Sequence, residues 1–198
     1  MTMTKFNLKP VFTATALAIG LAGPVQATTL SITGDGLWHS FDVDSTVSLS
    51  LGLEWIDAQS APGYVNDGSA LTFTFVGPFH LRVVDGGFGG DRFRIFDNGI
   101  LLGETSAATN TFPGLTHGTD FDTAFAEANF SHGVFDLGAS VHNITGLLTQ
   151  SALDSTGARL DATVGAVQIT AAVPEPASLA LLMSGLGLIG AFARRRAD

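Results

Sequence analysis

The run Arg92-Phe93-Arg94-Ile95-Phe96-Asp97-Asn98-Gly99-Ile100-Leu101-Leu102 decides how this chain folds. Before Asn98 the residues alternate, so Phe93 and Ile95 face one way and Arg92 and Arg94 the other, the period of an extended strand. Asn98-Gly99 tolerates the positive φ of a type I′ turn, which predicts a two-residue hairpin. The same alternation recurs in Thr72–Val76, in Leu81-Arg82-Val83 and in Ser45–Leu53, where Val47, Leu49, Leu51 and Leu53 point one way. Further strands are expected at Thr29–Thr33, Trp38–Val43, Val134–Leu137, Ser140–Leu148 and Arg159–Thr170. About eight to ten short strands with no fixed-period repeat predict an all-β fold, an antiparallel sandwich or jelly roll. One short helix is expected over Phe121–Asn129, capped by Asp120, with Phe121, Phe125 and Ala128 on one side.

The composition agrees. Of 198 residues, 45% are hydrophobic and 14% charged, enough apolar surface for a core. Twenty-four glycines favour turns over long helices. There is no cysteine, which excludes disulfides, thiolate metal sites and cysteine nucleophiles. The net charge of −9 argues against a nucleic-acid partner. That charge is uneven: Thr28 to Ala172 carries 16 acids against Arg82, Arg92, Arg94 and Arg159, a balance of −12. The remaining basic residues sit at the two ends.

Those ends read as address labels. Lys5 and Lys9 precede the uncharged apolar run Val11–Ala22, Pro24 breaks it, and Val25-Gln26-Ala27 places small residues at −3 and −1 of a cleavage site. This predicts a secretory signal peptide over residues 1–27, with cleavage between Ala27 and Thr28. The domain expected to follow spans 28–172. At the other end Val173-Pro174-Glu175-Pro176 precedes an uncharged stretch, Ala177–Ala193, and then Arg194-Arg195-Arg196. Seventeen residues of helix span about 25 Å, enough to cross a thin bilayer. The arginine cluster belongs on the cytoplasmic side, which places the acidic middle outside.

The segment 173–196 resembles the PEP-CTERM sorting signal of Gram-negative bacteria, with motif (173–176), transmembrane helix (177–193) and Arg cluster (194–196) in order. Similar tails also bear the label of an ice-binding protein C-terminal domain, which names an association and not an activity. The resemblance implies recognition by exosortase, a membrane protease, with cleavage near the Pro-Glu-Pro motif. It further implies a transient inner-membrane anchor with the domain on the periplasmic side, and then a place in the cell envelope or the extracellular matrix. Exopolysaccharide or biofilm is the expected association. A plain, unprocessed membrane anchor is the alternative. Val83 to Thr145 also resembles a segment of small exported sandwich proteins, which implies a compact β-sandwich and supplies no catalytic residue.

Chemistry within the domain is sparsely signalled. Gly86 to Arg94 fits one copy of a calcium nonapeptide, an architecture that needs stacked copies. A structural calcium ion held in sandwich loops by Asp85, Asp91, Asp97, Asp120 and Asp122 is the better candidate, because clustered carboxylates repel unless neutralised. Turn-forming and helix-capping aspartates are the competing reading. Tyr64 and Trp55 are candidates to stack on a sugar, which would make the domain a carbohydrate-binding module, although core packing is the competing role for Trp55. No zinc-hydrolase motif, nucleophile elbow, phosphate loop or dinucleotide fingerprint occurs, so a non-enzymatic protein is expected.

Overall fold

The computed structural model describes residues 27–45 and 53–171. The signal segment up to residue 26, most of the expected strand Ser45–Leu53 and the tail from residue 172 lie outside the described residues.

Two sheets face each other. The first holds β1 (Thr28–Ser31), β3 (Leu71–Val76), β10 (Val141–Gln150), β6 (Arg92–Asp97) and β7 (Ile100–Glu104), side by side in that order. The second holds β2 (Trp38–Asp44), β11 (Ala162–Ala171), β4 (Phe79–Asp85) and β9 (His132–Leu137). A small ribbon pairs β5 (Gly87–Phe88) with β8 (Thr116–Gly118), and α1 spans Phe121–Ala126. All pairings are antiparallel except β1 with β3. That exception follows from the path: β1 runs up the first sheet, β2 descends in the second, and β3 climbs back beside β1.

The hairpin forms as expected. Asp97 pairs with Ile100, and Asn98 and Gly99 have φ of 51° and 77°. Phe93 and Ile95 are fully buried, while Arg94 is exposed and forms an ion pair with Glu104 at 2.7 Å. Between the sheets, Trp55 stacks on Phe41 with ring centroids 3.9 Å apart, and Phe93 meets both rings edge-on. Two glycines make room for that stack. A Cβ on Gly146 of β10 would lie 2.1 Å from the Trp55 ring, and one on Gly165 of β11 would lie 2.4 Å from Phe41.

Several boundaries differ from expectation. The last strand begins at Ala162, not Arg159, because the Asp154 carboxylate gathers the N–H groups of Thr156 and Ala158 into a turn. The helix stops at Ala126, and Ala128 is exposed beyond it. Its buried face is Phe121 and Ala124, with Phe125 half-buried, and Asp120 caps it by accepting from Thr123 N. Phe121 and Ala124 pack with Phe130, Val84 and Ala166 in a second apolar cluster. That is why β11 is buried at five consecutive positions: one face meets the main core and the other meets this cluster.

The registers sort the strand ends into two poles. At one pole lie the connection 32–37, Gly77-Pro78, Asn98-Gly99, 138–140 and the end of β11 at Ala171. At the other lie Thr28, the long loops, and the end of β4.

Candidate functional site

The five aspartates expected to share a calcium ion do not converge. Asp85 and Asp91 meet at the pole that bears Thr28, Asp97 lies at the opposite pole, and Asp120 caps α1. Asp122 accepts the Trp38 indole N–H at 2.9 Å. Among the described residues, no group of three or more His, Asp or Glu is gathered to hold a metal ion. The correction has a simple origin: strand ends recur at both poles, so acids near turns need not be neighbours.

Among the described residues, Asp85 and Asp91 are a buried acidic pair, with 0% and 1% exposure. β4 ends at Asp85, and the glycine-rich turn after it brings the Gly90 and Asp91 N–H groups onto Asp85 Oδ2 at 3.1 and 3.2 Å. Asp91 Oδ1 accepts from Ala152 N at 2.9 Å, and its Oδ2 from the Thr163 hydroxyl at 2.5 Å. Asp85 Oδ1 is buried and receives no donor. Burial first, and then the neighbouring Asp91 carboxylate, hold the Asp85 carboxyl well above the usual carboxylate range. Burial also raises Asp91, against the hydrogen bonds from Thr163 and Ala152 that favour its charged form. The two buried carboxyls thus disfavour each other's charge, and Asp85, with one oxygen unpartnered, is the more strongly shifted of the pair.

Asp91 also borders a pocket of about 270 Å³ with Asp42, Phe88 and Thr163. Burial raises the Asp42 carboxyl, and the Gln59 amide donates to its Oδ2. The protein itself thus engages both oxygens of Asp91 and one oxygen of Asp42.

At the opposite pole Asp97, His142 and Ser140 form a chain that superficially has the composition of a catalytic triad. His142 Nδ1 lies 2.8 Å from Asp97 Oδ2, and its Nε2 lies 3.1 Å from Ser140 Oγ. The Gly138 carbonyl, however, lies 2.9 Å from the same Nε2. A carbonyl oxygen needs a proton there, so Nε2 is a donor and does not take the serine proton. Burial would lower the His142 pKa, but the Asp97 carboxylate and the carbonyls of Gly138 and Gly77 outweigh it and raise it. The imidazolium ties the turn between β9 and β10 to the end of β6.

Neither candidate sugar platform offers a free ring. Trp55 is 1% exposed, packed between Phe41 and Gly146, which corrects its proposed stacking role. Tyr64 packs half-buried against the core, and its hydroxyl donates to the Ser40 carbonyl at 2.7 Å. Burial pushes its pKa up to about 12.

Asp57 is a structural residue that sequence reading missed. Fully buried, it accepts from Val65 N at 2.6 Å and Asn66 N at 2.9 Å and so organises the loop that presents Tyr64. Its signal was available: Asp57 precedes a polar, glycine-bearing loop, the setting in which a carboxylate collects backbone N–H groups. At the predicted signal-cleavage site, Ala27 is exposed and Thr28 is the first residue of β1, its N–H donating to Ala70 O at 2.8 Å.

Residues 172–197 match the PEP-CTERM protein-sorting motif. The chain thus carries an exosortase sorting signal directly after its β-sandwich, and the motif implies export, anchoring through the C-terminus and processing by a membrane protein. Among solved structures, the pre-peptidase C-terminal domain of collagenase from Bacillus anthracis aligns over 75% of this chain and 98% of its own, at 6% identity and a TM-score of 0.35. No curated protein matches the chain.

Proposed function

We propose that this is a non-enzymatic protein of the cell envelope or extracellular matrix. Its signal peptide directs it out of the cytoplasm, and its C-terminal apolar segment holds it in the inner membrane until exosortase acts near Val173-Pro174-Glu175-Pro176. The observation that carries the reading is the sorting motif at 172–197, joined without a further domain to a sandwich whose last described residue is Ala171. The engagement of both Asp91 oxygens and the donor state of His142 Nε2 support a role without catalysis. Association with exopolysaccharide belongs to this proposal. A dedicated sugar-binding role for the aromatic residues finds no support in the burial of Trp55 or the engaged hydroxyl of Tyr64.

The test is fractionation of the full chain in cells with and without exosortase, with intact masses of the products. The expected result is a membrane-bound form that accumulates without the enzyme and a shortened envelope or medium form with it. Intact, unclipped protein in the cytosol would overturn the proposal. Retention of the released form on matrix polysaccharide tests the exopolysaccharide association separately.

A further inference from the structure

Five of the exposed large aliphatic side chains lie at the pole where the described chain ends, whereas Val65, Leu115, Val134 and Leu153 are exposed elsewhere. Val76 and Val141 are cross-strand partners on the outer face of the first sheet, 70% and 56% exposed. Ile100, just after the Asn98-Gly99 turn, is 72% exposed, and Leu101 beside it is 52% exposed. Leu37, in the connection before β2, is exposed as well. None of these positions is needed to close either apolar cluster.

The end of the described chain lies at the same pole, because Ala171 pairs with Phe79, directly across the Gly77-Pro78 turn from Val76. The apolar run of the tail begins at Ala177. Six residue steps reach roughly 20 Å even when fully extended, and Pro174 and Pro176 stiffen that stretch. A tail inserted from Ala177 onward therefore keeps this pole within roughly 20 Å of the lipid surface. Thr28, where the signal peptide is removed, lies at the far pole.

Charge fits the same orientation. The domain is strongly acidic, and an unpaired carboxylate facing anionic headgroups is repelled. At this pole two carboxylates face histidines: Asp97 lies 2.8 Å from His142 and Asp136 lies 2.5 Å from His80.

We infer that, while the tail is anchored, the pole formed by Leu37, Val76, Ile100, Leu101 and Val141 docks on the lipid surface, with these aliphatic side chains in the interfacial layer. The inference rests on the membrane-anchoring reading of the tail. It gives the sandwich a fixed orientation, with the sorting motif held at the interface where a membrane protease works and the pole bearing Thr28 turned outward.

The absence of cysteine permits a clean test. Single variants of the full chain, Val76→Cys, Ile100→Cys and Val141→Cys, with Asp67→Cys as the far-pole control, are labelled with a polarity-sensitive dye and reconstituted in phospholipid vesicles. Flotation reads anchoring; emission and quenching by spin-labelled lipid read docking. The expected result is co-flotation of every variant, with a blue shift and quenching at positions 76, 100 and 141 and neither at 67. Co-flotation with all four labels in water overturns the docking and leaves the anchor standing. Failure to float overturns both. Shifts that appear only when exosortase is reconstituted too assign the surface to that protein and also overturn lipid docking.

Discussion

At the scale of single residues, two titratable groups make stability depend on pH. Asp85 has its pKa raised by burial and by Asp91. Between the ordinary carboxylate value of about 4 and this raised value, the folded protein holds a proton that the unfolded chain has lost, so stability falls as pH rises. Asp85→Asn keeps an acceptor for Gly90 N and Asp91 N and supplies a permanent N–H toward Asp91. Thermal melts at pH 4–8 should show the variant about 1 kcal/mol or more above wild type at neutral pH, with the gap shrinking toward acid. His142 also has a raised pKa. Its stabilisation is complete below about pH 6.5 and is lost as pH rises through the folded value. His142→Gln should cost on the order of 1 kcal/mol at pH 6 and distinctly less at pH 9, read by denaturant unfolding at both. Equal losses at the two pH values would remove the imidazolium from this role.

At the scale of elements, close approach between strands and rings dominates. Gly146 and Gly165 lie under Trp55 and Phe41, where an added Cβ would run into each ring. Gly146→Ala should cost about 1–3 kcal/mol, the usual range for overpacking, and should raise Trp55 fluorescence exposure; unchanged stability would show that the sheets can separate freely. Alternation and the Asn98-Gly99 turn made β3, β6 and β7 readable from the chain alone, because each face meets a uniform environment. β11 gave no such alternation in its middle, since both its faces are covered. β5 and β8 are two and three residues long and hold each other as a ribbon, so no local period marks them. Among the candidate site residues, Asp85 and Asp91 were visible as acids near strand ends. Their enclosure and separation from Asp97, Asp120 and Asp122 depend on which pole each strand end occupies, and residue type does not encode that.

At the scale of the whole molecule, sorting belongs to the C-terminal motif at 172–197, while the proposed orientation belongs to the sandwich. Replacing Arg194, Arg195 and Arg196 with neutral residues should leave the fold unchanged and impair retention of the tail in its membrane orientation, read by protease protection of the domain. Unaltered orientation and processing would show that the cluster is dispensable. The C-terminal sorting motif, the strand content and the tight hairpin were determined by sequence alone, since charge, apolar length and two-residue alternation are local properties. The burial of Asp85 beside Asp91, the donor state of His142, the enclosure of Trp55 and the placing of Val76, Val141 and Ile100 beside Ala171 were decided only by tertiary structure. Each depends on pairing between strands distant in sequence, and that pairing is set by the burial of both sheets at once.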